Sequence, residues 1–441
     1  MTVNGTPGGQ PGGMFQRFFH SQVAGSIVLM ACTAVALIWA NSPWSDLYYD
    51  LSHTYIGVSW GDATFKMSLS HWIMDGLMAI FFFVVGLEVK REIVVGELST
   101  VRKAILPVSA ALGGAVVPAV IYASMNAGGP GSPGWGVPMA TDIAFALGIL
   151  AMLGSRVPIG LKVFLTALAI ADDLIAVMVI ALFYTEQISV AGLVCTAVFI
   201  GSIVVANRLG IRQMWIYVLL ATGAWFGVLL SGVHATIAGV LIAMVVPVRA
   251  TIKPSKFLNL ARKSIDQLES SELTRESMIS NKDQLRALTR VHMAADDMIP
   301  AGLRFEKQLH PVQSFLILPL FALFSAGVKF DAETLSEATG TIGWGIVLGL
   351  FFGKQIGVTA ASWLAIRSGQ ADLPEGVSWS QIWGVSCLSG VGFTMSIFIA
   401  GLAFTDETLV SEAKIGILVA SLISGIAGYL VLRKVLPTRA E

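Results

Sequence analysis

The sequence predicts an all-α polytopic membrane protein of about twelve transmembrane helices, and three observations carry that reading. Of 441 residues, 55% are hydrophobic and only 13% charged, against a soluble norm of about 25%, and the mean hydropathy is +0.75. Apolar runs close to the membrane-spanning length of about 20 residues recur along the chain. The cations crowd into alternate loops between them. Lys plus Arg equals Asp plus Glu at 28 each, so net charge points to neither nucleic acid nor an acidic partner.

The elements follow in order. Residues 2–13 are Gly/Pro-rich and read as a disordered tail, with Met14–His20 as a short amphipathic interfacial turn. The first span, 23–40, exceeds the roughly 7–15 apolar residues of a cleaved signal and is expected to be retained. Further spans are expected at 71–88, 105–125, 136–153, 160–184, 188–206, 214–231, 233–249, 312–329, 341–366, 380–402 and 411–432. One set of loops carries Arg17, Lys90 to Lys103, Arg156, Lys162, Arg208, Arg212, Arg367 and Arg433 to Arg439. The opposite set carries Lys66, Lys329 and Lys414. The positive-inside rule then puts both termini in the cytoplasm, as an even count requires.

The domain plan is a tail at 1–22, spans one to eight at 23–249, a charged cytoplasmic insert at 250–311, spans nine to twelve at 312–432, and a tail at 433–441. The insert has apolar residues at helical spacing around Leu258 and Leu285, and is expected to be mostly helical with a flexible centre near Ser264–Asn281. Cys32, Cys195 and Cys387 stand singly in apolar segments, so no disulfide or resident metal framework is expected, and no cofactor.

Two spans resemble each other. Trp135–Ile149 aligns without gaps to Trp383–Ile397, with Trp, Gly, Val, Phe and Ile shared at five of fifteen positions. Both segments are expected to start on the same side, the outside, so the alignment does not by itself establish inverted topology. Pro138 in one, and Ser389-Gly-Val-Gly392 in the other, weaken the helix near its midpoint. A pair of interrupted spans is the best sequence pointer to a transporter binding site.

Inside the spans stand Asp75, Asp142, Asp172, Asp173 and Lys354. Each charge at a helix centre costs roughly 2.5–3.5 kcal/mol, so two adjacent aspartates in an apolar run imply function. Neighbouring helix residues point about 100° apart, so one aspartate can face a cavity while the other faces a basic partner. Lys354 supplies that partner from a run of glycines at 345, 349, 353 and 357, a spacing that allows close helix packing. Thr141, beside Asp142 at the first interruption, adds a hydroxyl. Carboxylates and a hydroxyl are hard oxygen ligands, suited to a small hard cation. Protons compete for the same oxygens, and competition with alternating access is sufficient for exchange.

These residues resemble the NhaA-type sodium/proton antiporters. The resemblance rests on Leu87-Glu-Val-Lys-Arg-Glu92, Ala140-Thr-Asp-Ile-Ala-Phe-Ala-Leu-Gly148, Leu153-Gly-Ser-Arg-Val-Pro158, Ala167-Leu-Ala-Ile-Ala-Asp-Asp173, Ser231-Gly-Val-His-Ala235, Gly353-Lys354 and Gly392–Ala400. It covers roughly residues 14–249 and 303–435. It implies a homodimer in the bacterial inner membrane, with inverted repeats and spans four and eleven crossing as broken helices, a fold that is itself a standard example of that architecture. It implies sodium or lithium as cargo, bound by Asp173, Asp172 and Thr141, with Asp172 and Asp173 carrying protons. Asp142 is the implied compensating charge and Lys354 the lysine partner, while Glu88, Arg91, Glu92, Glu306, His310 and His234 match residues linked to pH response. Dimer contacts are expected in the 41–70 loop.

Other classes fit less well. An intramembrane aspartyl protease needs its carboxylates facing each other from separate helices, and a lipid-phosphate transferase holds its Asp pair at the membrane edge. A passive channel, or a proton- or sodium-coupled carrier of another solute, is separable from an exchanger by flux measurements.

Overall fold

The computed structural model describes residues 11–61, 63–185, 188–211, 213–249, 252–269, 281–330 and 340–437. Its helices are α1 (Pro11–Ala40), α2 (Ser45–His53), α3 (Leu69–Val94), α4 (Val101–Asn126), α5 (Ile143–Met152), α6 (Ile159–Phe183), α7 (Val190–Arg208) and α8 (Met214–Leu230). They continue as α9 (Ile237–Val245), α10 (Pro254–Glu269), α11 (Lys282–Met298), α12 (Ala301–Ser325), α13 (Thr341–Arg367), α14 (Trp379–Leu388), α15 (Phe393–Ala403) and α16 (Glu407–Val435). A two-stranded antiparallel hairpin, β1 (Tyr55–Trp60) and β2 (Ala63–Ser68), follows α2.

Among the described residues nine helical segments are long and apolar enough to cross a membrane, ten when α14 and α15, bent by 47°, count as one. At the seventh and eighth expected spans the helices are shorter: α8 has 17 residues and α9 only nine. The segment Met14–His20 does not form a separate turn, because α1 runs unbroken from Pro11. Past Gly13 no glycine or proline interrupts the chain until Gly25, so nothing stops the helix. Residues 1–10, most of the expected flexible centre (270–280) and 438–441 lie outside the described residues. Ser264–Glu269 of that centre is helical, and α12 begins well before the expected limit at 312.

The glycine run on α13 packs along α4. A Cβ on Gly349 would stand 2.8 Å from the Cβ of Pro138, and one on Gly353 2.8 Å from the Cα of Pro118. Gly357 and Gly113 face each other so closely that a Cβ on either would strike the other's carbonyl oxygen. Such contact leaves no room for larger side chains, and it lays the aliphatic stem of Lys354 against Gly114. A π-helical turn at Gly349–Gly353 immediately precedes Lys354 and re-aims the residues after it.

Both predicted interruptions are present. A 3₁₀ segment, Ser132–Met139, leads into non-helical Ala140–Asp142 before α5, and residues 389–392 separate α14 from α15. The two broken spans run antiparallel, which corrects the expected common starting side. The Ser396 hydroxyl of α15 donates to Val137 O at 2.8 Å, while Ile382, Val385 and Leu388 of α14 share a core with Ala146, Leu147 and Leu150 of α5. First half thus meets second half in both directions. Spans four and eleven are seven places apart in order, an odd number that requires opposite directions, and Arg367 before α14 belongs to the cation-rich loop set, whereas the loop before span four holds no cation.

Candidate functional site

The crossing is held by what the interruptions expose. Helix ends leave amides and carbonyls without intrahelical partners, and at this depth they need protein groups. Asp142 N donates to Val391 O at 2.7 Å, and the Thr141 hydroxyl donates to Ser389 O at 2.8 Å. The Asp142 carboxylate takes the N-termini of both second halves. Its Oδ1 accepts from Phe145 N at 3.0 Å, and its Oδ2 from Thr394 N at 3.1 Å and Thr394 Oγ1 at 2.5 Å. A negative charge between two helix N-termini sits where both dipoles favour it. Ser421 of α16 caps the same region by accepting from Phe393 N at 3.1 Å.

The two adjacent aspartates of α6 divide as their 100° offset requires. Asp172 Oδ2 accepts from Lys354 Nζ at 2.7 Å, a pair in which the side chains are only 2% and 1% exposed. Thr141 also lies beside Asp172. Asp173, equally buried, has an Oδ1 without a hydrogen-bond partner among the described residues, and it feels the charges of Asp172, Glu88, Asp142 and Lys354. An oxygen anion held in protein without a donor is expensive, and a bound cation or proton relieves the cost. Among the described residues no three His, Cys, Asp or Glu side chains converge as a metal centre. The oxygens at the crossing are instead the carboxylates of Asp142, Asp172 and Asp173, the hydroxyls of Thr141 and Thr394, and unwound carbonyls.

The remaining predicted residues fall in two places. Arg91 lies 3.1 Å from Glu92 Oε1 and 3.2 Å from Glu306 Oε2, the latter contact lacking the alignment of a hydrogen bond. Glu92 also accepts from Glu97 N at 2.9 Å, and His310 follows Glu306 by one turn of α12. Glu88, one turn before Glu92 on α3, feels the charges of Arg91, Glu92 and Glu306, and its own charge acts on Asp173. His234 is not brought to the cluster. It precedes α9, which runs beside α3 in the same direction, with Gly239 against Ala79 and Lys90 donating to Val246 O. His234 is therefore at the far end of α3 from Arg91.

Sequence reasoning missed Thr394, Ser389, Ser396 and Ser421. Hydroxyl residues are common in membrane spans, and nothing in one sequence marks which of them face an unwound segment. The alignment held a usable signal: Thr141 matches Ser389 and Phe145 matches Phe393, and both matched pairs touch, the two rings at 5.2 Å.

Crossed broken helices around a lysine-countered carboxylate pair define a secondary ion transporter, not an enzyme. The chain belongs to the Na+/H+ antiporter 1 family, whose sequence profile matches residues 16–432. It is 46% identical to a Na+/H+ antiporter NhaA of Oleidesulfovibrio alaskensis, over 96% of this chain and 94% of that protein. It is also 45% identical to the NhaA antiporters of Koribacter versatilis (95% and 90% covered) and Sulfurimonas denitrificans (95% of each).

Proposed function

We propose that the protein exchanges intracellular sodium or lithium for external protons, two protons per cation, in the bacterial inner membrane. The observation that carries this reading is the unpartnered Asp173 oxygen beside the Lys354–Asp172 pair at the crossing. Asp173 takes the cation, with Asp172 and Thr141 completing the oxygen shell. Protonation of the two aspartates returns the empty carrier. Lys354 holds Asp172 between these events, and Asp142 holds the helix ends. The relatives' names, Na+/H+ antiporter NhaA, support the choice of ions.

Two charges in for one out make the exchange electrogenic, so about 2.3 kcal/mol per 100 mV drives sodium from a negative interior. Glu88, Arg91, Glu92, Glu306 and His310 form the pH-responsive mouth on the cytoplasmic side, with His234 responding separately from the outer side. Both termini are cytoplasmic, and the protein is a homodimer through the 41–70 region. The test is proton flux in reconstituted vesicles against sodium, lithium and potassium gradients across pH, for wild type and Asp173→Asn. A sodium gradient that moves no protons through the wild type overturns the reading.

A further inference from the structure

Among the described residues, the charged insert forms two packed helices, α10 and α11, each with exposed apolar side chains beside the packed row. Helix α10 packs on α11 through small or compact buried residues: Ala261, Ser264, Gln284, Ala287 and Ala294. Gly302 N donates to Pro247 O at 2.9 Å, so the chain returns to within one bond of where it left the membrane-spanning body. Arg304 of α12 grips the end of α11 through the carbonyl of Asp296 at 3.0 Å and its carboxylate at 3.4 Å. Helix α10 leaves this staple and α11 comes back to it, so the two are antiparallel.

Beside the packed rows run Leu258 and Ile265 on α10, and Leu285 and Leu288 on α11, between 43% and 52% exposed. They lie about 70–150° further round their helices than the centres of the packed rows, taken in the chain direction. In an antiparallel pair of right-handed helices that offset brings both rows to one face of the hairpin. Arg262 and Lys282 stand just outside these rows, one on each margin, and are exposed. The stretch from Arg249 to Lys263 holds five cations and no acid. Of the acids on the same margins, Asp296 is taken by Arg304, which leaves Asp266 and Glu269 on α10.

We propose that this face docks on the anionic phospholipid surface of the protein's own bilayer, with Leu258, Ile265, Leu285 and Leu288 at the acyl boundary and Arg262 and Lys282 reaching headgroup phosphates. The staple fixes both ends of the hairpin beside the end of α9 and the start of α12, the two elements that lead into the membrane-spanning body, so the bilayer is the apolar phase within its reach. An apolar face bordered by cations on a helix lying in the interface is the pattern of membrane-surface binding. Placing that surface in the cytoplasm rests on the orientation proposed above.

The test uses full-length protein with Cys32, Cys195 and Cys387 replaced by Ser, and spin labels at Ile265→Cys or Leu285→Cys. Vesicles rich in phosphatidylglycerol are compared with pure phosphatidylcholine, both leaflets alike. Expected is oxygen-favoured, nickel-chelate-shielded collision in the anionic vesicles. R262Q with K282Q is expected to shift the docked-to-free ratio by roughly twenty-five-fold toward water. Labels open to the nickel chelate in both lipids overturn the proposal. So does shielding from both collision agents, which would place the face on protein, and so does dipolar broadening between labels, which would place it on a second copy. An impermeant maleimide at Lys256→Cys reports the side of the membrane separately, so a wrong orientation is not mistaken for failed docking.

Discussion

At the residue scale the chemistry depends on two neighbouring aspartates having different surroundings. Asp172 is tied to Lys354, and Asp173 keeps an oxygen without a donor. Asp173→Asn is expected to abolish sodium-driven proton flux with the folded fraction unchanged, and full flux in that variant would remove Asp173 from the site. Lys354→Met leaves a buried carboxylate uncompensated and is expected to destabilise by about 3–5 kcal/mol. Adding Asp172→Asn to it removes the orphaned charge, so thermal unfolding in detergent should recover most of the loss while transport stays absent. Thr394→Val removes one donor from Asp142 but keeps the backbone amide, and is expected to cost about 1–3 kcal/mol in the same measurement.

At the element scale the site depends on how closely α13 lies on α4. The glycine spacing was readable in the sequence, but its partner was not: Gly113 and Pro118 lie more than two hundred residues away, and no local pattern names them. Gly357→Ala is expected to force the helices apart and cost about 1–3 kcal/mol. Gly201, on lipid-facing α7, has nothing within 4 Å of a built Cβ, so Gly201→Ala should be neutral or stabilising by up to about 1 kcal/mol. Equal melting shifts for the two variants would contradict the close-packing role of the seam. The interruptions were also legible, since proline and clustered glycine act on the local backbone. Their opposite directions follow from the span order, but their contact and the capping by Asp142, Thr394 and Ser421 do not, because both need spans four, eleven and twelve side by side.

At the scale of the whole molecule, net charge transfer is the property to measure. An inside-negative potential imposed with potassium and valinomycin should accelerate sodium extrusion from vesicles, and no response to voltage would rule out the two-for-one ratio. On the proposed exchange, protons and sodium compete for the same oxygens, so the apparent KM for sodium should fall as pH rises. A KM constant across pH would separate the proton and sodium sites. The separation of His234 from the Arg91–Glu306 pair implies that their substitutions act independently on the pH profile, which a double variant tests by additivity.

The sequence by itself determined that the chain spans a membrane many times, where its helices are interrupted, and that Asp142, Asp172, Asp173 and Lys354 lie buried, though it placed Asp75 with them and passed over the buried Glu412. Those are consequences of local hydropathy, helix-breaking residues and the cost of charge in hydrocarbon, all written along one stretch of chain. The tertiary structure decided which charge faces which. Lys354 chose Asp172 over Asp173, and Asp142 found the ends of two half-helices, because distant helices packed at a fixed rotation and depth. Sequence periodicity constrains that rotation on each helix but not between helices.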